Sequence, residues 1–75
     1  MTDKLPILKP AEMIKALEKA GFIIVRTTGS HVIMWKEGLL RPIPIPLHSK
    51  ELKRSLQTKI IKEAGFTHDQ FAVFL

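Results

Sequence analysis

Apolar residues recur with the period of an α-helix near the start of the chain. Met13, Ile14 and Leu17 fall at the spacing of one buried helix face, and the charged residues between them would point outward. Gly21 follows, and glycine readily adopts the left-handed backbone conformation in which helices end. The pattern predicts a first helix over residues 10–20.

A second helical pattern occupies the last third of the chain. Its apolar residues fall four positions apart: Leu52, Leu56, Ile60 and Ala64. Gly65 ends this helix in the same way as the glycine after the first one. Both Ser49 and Ser55 are suitable N-cap residues, so the sequence leaves the start of this helix open between them.

Between the helices, the chain is rich in β-branched and aromatic residues. Residues 22–27 and 31–36 flank the turn Thr28-Gly29-Ser30, an arrangement typical of a β-hairpin. Residues 39–47 predict a third strand with prolines at alternate positions: Pro42, Pro44 and Pro46. Alternate residues of a strand direct their N–H groups to the same side, so these prolines remove donors from one side only and predict an edge strand.

The segments combine into a simple organisation. Thr67 and Gln70 form a capping box ahead of a short final helix over residues 71–75. The predicted order is α-β-β-β-α-α, an α+β fold in which a small three-stranded antiparallel sheet packs on helices. No repeat or linker divides the chain, so residues 1–75 are expected to form one domain, with residues 1–9 as an arm that is free to be mobile.

The composition narrows the class of protein. The 75 residues are 45% hydrophobic and 25% charged, which fits one small globular domain. They include no cysteine, which excludes disulfides, thiolate zinc sites and thiol catalysis. The first ten residues lack the apolar run of a signal peptide, and no run approaches the roughly 18 apolar residues of a membrane span. We therefore expect a cytoplasmic protein without a membrane segment.

Basic residues outnumber acidic ones. Twelve Lys and Arg against seven Asp and Glu give a net charge of +5. This excess favours a polyanion such as nucleic acid as partner, and it is also compatible with ordinary surface charge. The carboxylates are spread singly, and no glycine-rich loop leads from a strand into a helix. We expect neither a metal site nor a small-molecule cofactor.

Histidine with nearby cations is the minimum for RNA cleavage without a metal. Histidine ionises near neutral pH and can take a proton from the ribose 2′-hydroxyl or give one to the leaving oxygen. His31 is the best candidate because it begins a rigid strand directly after Gly29 and Ser30, where small residues let a phosphate approach the backbone. Spacing alone leaves open the simpler interpretation of a hydrogen-bonded histidine at a strand end.

Other residues could support such a site. His48, after the proline-rich strand, is a reserve candidate for proton transfer, with a role in the turn as the alternative; His68 is expected to be exposed. Trp35 shares a strand face with His31 and Ile33, and it either completes the core or offers a surface for bases or for a protein partner. Six basic residues near strand ends or the second helix could hold phosphates: Arg26, Lys36, Arg41, Lys50, Lys53 and Arg54.

Several short motifs occur in order along nearly the whole chain: Lys4-Leu5-Pro6, the helix end from Ala16 to Phe22, Val25-Arg26, Gly29-Ser30-His31, Ile45-Pro46-Leu47-His48, Lys50-Glu51-Leu52, the segment from Ile60 to Phe66, and Gln70-Phe71. In this order and spacing they resemble the HicA family of bacterial and archaeal mRNA-interferase toxins. The resemblance implies a core similar to the double-stranded-RNA-binding fold, metal-free cleavage of mRNA, a catalytic histidine at His31, and neutralisation by a HicB antitoxin that covers the site.

On this basis we expect an endoribonuclease in which His31 moves a proton, Gly29 and Ser30 shape the turn, and the basic residues hold the mRNA. Two other functions stay open from the sequence. One is a non-catalytic basic RNA-binding module that uses the same sheet. The other is a subunit that docks on a larger protein through its apolar strand and C-terminal end.

Overall fold

The structure, a computed structural model, describes residues 5–48 and 50–75. Within these ranges the elements follow the predicted order: α1 Pro10–Lys19, β1 Ile23–Thr27, β2 His31–Trp35, β3 Ile43–Pro46, α2 Arg54–Glu63 and α3 His68–Ala72. The strands form one antiparallel sheet in the order β1-β2-β3. The predicted α+β class is confirmed, and the fold is consistent with that of a double-stranded-RNA-binding domain.

The two faces of the sheet differ because side chains alternate along each strand. One face packs on the helices and contributes four buried residues to the core: Val32, Met34, Ile43 and Ile45. They join the apolar faces of the helices in one cluster, which includes Met13, Leu17, Ile60, Ile61 and Phe71. The opposite face carries the other residues of β2, which are partly buried: His31, Ile33 and Trp35. We call this second face the open face.

β3 is an outer strand of the sheet, as the alternating prolines predict. The N–H of Leu47 donates to the carbonyl of Ser30 at 2.8 Å, so residues two and four positions earlier also face β2. Pro44 and Pro46 therefore direct their missing donors toward the outer edge. The strand is shorter than the predicted 39–47, because residues 37–42 turn and bend before it begins.

Both long helices end at the predicted glycines. Gly21 has a φ of 103°, and the N–H of Phe22 donates to the carbonyl of Leu17 at 2.9 Å. This backward bond across a left-handed glycine belongs to the Schellman motif, and it satisfies a carbonyl of the last turn of α1. Gly65 and Phe66 end α2 with the equivalent bonds.

The starts of α2 and α3 differ from the residues that the sequence suggested. α2 begins at Arg54 with Lys53 as its N-cap, so neither candidate serine caps it. Ser55 lies in the first helical turn, and Ser49 lies outside the described residues. The predicted capping box after α2 is present, and it fixes α3 at His68–Ala72 rather than at residues 71–75, because a cap directly precedes the first helical residue.

Residues 5–9, the described part of the predicted arm, form an N-terminal segment that is docked on the domain. Leu5 and Leu8 are buried in the core. The buried side chain of Gln57 accepts the N–H of Leu8 at 2.8 Å and donates to the carbonyl of Pro6 at 3.0 Å. The N–H of Leu52 also donates to the carbonyl of Leu8. Residues 1–4 lie outside the described residues.

We expect Gln57→Ala to lower the free energy of unfolding by about 2 kcal/mol, because it leaves the buried N–H of Leu8 without its partner and opens a gap under the N-terminal segment. Urea-induced unfolding measures the change. Lys59→Ala on the exposed side of the same helix is the matched control and should change stability by less than about 0.5 kcal/mol. Equal stability of the two variants would show that Gln57 does not hold this segment.

Candidate functional site

The turn between β1 and β2 is closed by one side chain that the sequence analysis did not single out, Thr28. Its Oγ1 accepts the N–H of His31 at 2.9 Å and that of Ser30 at 3.3 Å, and it donates to the carbonyl of His31 at 3.2 Å. These three bonds use the full capacity of a hydroxyl group. The sequence signal for such a turn is a threonine whose hydroxyl accepts the N–H groups of the residues two and three positions later.

The same contacts limit how the turn could hold a phosphate. The N–H groups of Ser30 and His31 are occupied by Thr28, so they are not available to an anion. Among the described residues, the N–H of Gly29 has no such partner. A phosphate approaching this turn would therefore meet the Gly29 amide and side chains, rather than a row of backbone donors.

His31 is half-buried at the start of β2, and its ring is held by its neighbour. Ser30 Oγ lies 3.0 Å from Nδ1 of His31. The hydroxyl donates when Nδ1 is unprotonated and accepts when Nδ1 carries the proton. In both states the contact fixes the ring and leaves Nε2 as the nitrogen that can exchange a proton with a ligand.

Gly29 differs from the other glycines of the chain. Gly21, Gly38 and Gly65 have φ values between 92° and 103°, which side chains rarely tolerate. Gly29 has no positive φ, and a Cβ added there would meet nothing within 4 Å. The fold does not require a glycine at this position. The surface beside this turn is open at Gly29.

His48 lies at the same end of the sheet as His31. Leu47 is bonded to Ser30 across the sheet, and His48 follows directly along the chain, next to the turn. Its side chain is exposed and lies outside the strands. His68 is half-buried rather than exposed, as the first residue of α3.

One of the six predicted basic residues, Arg26, lies on the same face of the sheet as His31. Arg26 stands opposite Ile33 in the β1–β2 pairing and so shares the open face with His31. Lys50 and Lys53 are exposed in the segment that leaves β3 beyond His48 and leads into α2.

Lys36 lies at the other end of the sheet from His31. The strand runs away from His31, and five residues of strand span roughly 16 Å. Lys36 Nζ donates to the carbonyl of Ala20 at the end of α1, at 3.0 Å, and lies 5.9 and 6.0 Å from the ring centroids of Phe22 and Phe66. Its positive charge interacts favourably with the C-terminal end of α1 and with these two aromatic rings.

Two others of the six predicted cations are arginines: Arg41 lies away from His31, and Arg54 is hydrogen-bonded to the N-terminal segment. Arg41 precedes β3 and is exposed at the same far end as Lys36, because β3 runs antiparallel to β2. Arg54 donates from Nη1 to the carbonyl of Leu5 at 3.2 Å, so it helps to dock the N-terminal segment. The role of all six cations in binding RNA stays a prediction.

Neither a cluster of metal ligands nor a membrane-spanning helix is present in residues 5–48 and 50–75. No three His, Asp or Glu side chains of this part are grouped so that they could hold a metal ion. None of its helices is long and apolar enough to span a bilayer.

The fold and the turn define a small α+β domain with a double-stranded-RNA-binding type of architecture and a histidine fixed beside a hairpin turn. The sequence model of the family described as HicA toxin of bacterial toxin–antitoxin matches residues 10–66. Because this match covers more than half of the chain, the protein belongs to the HicA toxin family. A comparison with curated proteins found no match. The resemblance inferred from the motifs is confirmed.

We expect Gly29→Ala to fold normally and to be as stable as the wild type or up to about 1 kcal/mol more stable, because alanine restricts the unfolded chain without a clash in the folded one. Gly21→Ala is the contrasting variant and should lose about 1 kcal/mol or more, because its φ is 103° and the new Cβ would lie 3.3 Å from Lys36 Cε. Thermal unfolding of both compares them. A similar loss in both variants would mean that the turn itself needs glycine.

Proposed function

We propose that this toxin is an endoribonuclease that cleaves mRNA in the cytoplasm without a metal ion, with His31 as its catalytic residue. The contact that carries the proposal is the 3.0 Å hydrogen bond between Ser30 Oγ and His31 Nδ1. A hydrogen bond by itself also fits a structural histidine at a strand end, so the free ring nitrogen and its position complete the argument. This one is fixed through Nδ1 and stands on the open face, where its Nε2 can meet a substrate.

The reaction requires two proton movements. The 2′-oxygen of the ribose forms a bond to the adjacent phosphorus while the bond from phosphorus to the 5′-oxygen breaks. One proton leaves the 2′-hydroxyl and one reaches the departing 5′-oxygen. His31 Nε2 carries one of these transfers, as base or as acid. The other falls to water or to His48, which the sheet brings to the same end of the molecule.

Charge supports RNA as the substrate. The chain carries a net charge of +5, and Arg26 shares the open face with His31. Cations near the scissile phosphate stabilise the charge that develops on its oxygens during the transfer. The open approach over Gly29 gives a phosphate room to reach this region.

A toxin of a toxin–antitoxin system requires a partner that neutralises it, and we propose a HicB-type antitoxin that covers His31. The family supports an antitoxin in general. The half-buried histidine and the neighbouring apolar residues of the open face suit a protein that excludes RNA from the same place.

We expect His31→Ala to fold normally and to cleave single-stranded RNA at least about 100-fold more slowly, because a positioned acid or base typically contributes two to four orders of magnitude. Cleavage of a labelled mRNA fragment by purified protein, with circular dichroism of each variant, measures this. His68→Ala, a histidine of α3, is the matched control and should cleave like the wild type. Comparable cleavage by His31→Ala would refute the assignment and favour an RNA-binding module.

We expect Thr28→Val to lower kcat about tenfold with little change in KM, because it removes the hydroxyl that closes the turn and lets the His31 ring shift. Thr28→Ser keeps the hydroxyl and should retain most of the activity. Steady-state kinetics on the same RNA compare the two. Full activity of Thr28→Val would show that the turn does not position the histidine.

A further inference from the structure

The open face is a surface whose composition follows from the strand register. Across the sheet, Arg26 stands beside Ile33 and Ile23 beside Trp35. On the other side of β2, two prolines of β3 stand beside His31 and Ile33. Side chains of directly opposed residues share a face, so these positions form one continuous surface.

The chemistry of this surface is apolar and basic. Its centre is the partly buried row of β2, and Ile23 at its border is 56% exposed. Arg26 is exposed within it, and His31 stands at one end. None of the paired positions that form the face is acidic. A surface with this combination suits a ligand that carries both flat apolar groups and negative charges.

Trp35 gives the surface a fixed aromatic group. Its indole Nε1 donates to the carbonyl of Leu39 at 3.0 Å, which holds the ring against the following loop. It lies four positions along β2 from His31, so the two side chains are roughly 13 Å apart on the same face. Tryptophan is well suited to stack against nucleic-acid bases, and Arg26 lies between the two ends.

We propose that the open face is the binding platform for single-stranded RNA, with a base stacked on Trp35, a phosphate at Arg26 and the scissile phosphate at His31. This inference rests on the proposed function and adds where the substrate lies and in which form. It also gives the partly buried row of β2 a role beyond packing.

The form of RNA follows from the same chemistry. A duplex keeps its bases stacked inside and offers mainly phosphates and 2′-hydroxyls to a protein. A largely apolar surface with one arginine among its paired positions contributes little to such a ligand. An unpaired strand can turn its bases onto Trp35 while its backbone follows the basic side.

The chain contains its own reporter for this contact. Trp35 is the only tryptophan, and the chain has no tyrosine, so its fluorescence reports this face alone. The ligand is a short single-stranded oligoribonucleotide with methylated 2′-hydroxyls, which the wild-type protein can bind but cannot cleave. We expect saturable quenching of Trp35, with the same Kd as the anisotropy of the labelled oligonucleotide. A duplex of the same sequence should give little quenching.

Matched variants separate the contacts. Trp35→Leu should weaken binding of the single strand at least about fivefold, whereas Trp35→Phe keeps an aromatic ring and should retain most of the affinity.

Arg26→Gln should reduce the slope of log affinity against log salt by about one, whereas Lys62→Gln, an exposed cation on α2, should leave it unchanged. Arg26 is exposed, so this variant tests the platform even if Trp35→Leu perturbs folding.

The platform proposal would be overturned if the oligonucleotide bound without quenching Trp35 and if the Trp35 and Arg26 variants kept the wild-type affinity and salt slope. The same result is expected if the open face binds only a protein partner. If His31→Ala is inactive in that case, the proposed function stands and only the platform fails. If His31→Ala still cleaves like the wild type while quenching and the loss of affinity are seen, the platform stands and the catalytic assignment fails.

Discussion

The strict alternation of side chains along β2 is the constraint on which the rest of the structure depends. Val32 and Met34 are buried against the helices, and each contributes about 1.5–3 kcal/mol by leaving water. That burial forces His31, Ile33 and Trp35 onto the open face. A shift of register by one residue would expose the first set and bury the histidine, so the stability of the core also fixes the position of the candidate catalytic group.

Hydrogen bonds on both sides of β2 then hold His31 in place. The hydroxyl of Thr28 closes the hairpin on the side of β1, and the bond from Leu47 to Ser30 joins β3 on the other side. Ser30 in turn contacts the ring of His31. The prolines of β3 leave this pairing intact, because their missing N–H groups face the outer edge. A rigid histidine beside an uncrowded Gly29 suits a reaction that needs a fixed proton carrier and room for a phosphate.

Much of the fold could be predicted because its signals are local. Gly21 and Gly65 end their helices within one turn, and the alternating prolines identify an edge strand from the backbone chemistry of each residue. The docked N-terminal segment could not be predicted. It depends on bonds such as that between Leu8 and Gln57, which lie 49 residues apart, and a buried glutamine on an otherwise apolar helix face gives no sign of its partner. In the same region the N–H of Leu52 donates to the carbonyl of Leu8, the backbone of Lys53 is extended, and α2 begins at Arg54.

The sequence by itself determined the class and order of the elements and the family, and its motifs made His31 a candidate, because short-range spacing and motif order carry this information. Only the tertiary structure decided which side chains accompany that histidine. It placed Arg26 on the same face, Lys36 at the far end of the sheet against the end of α1, and Thr28 at the centre of the turn. The physical reason is that strand register and helix packing, rather than residue type, decide which end and which face of a sheet a side chain occupies.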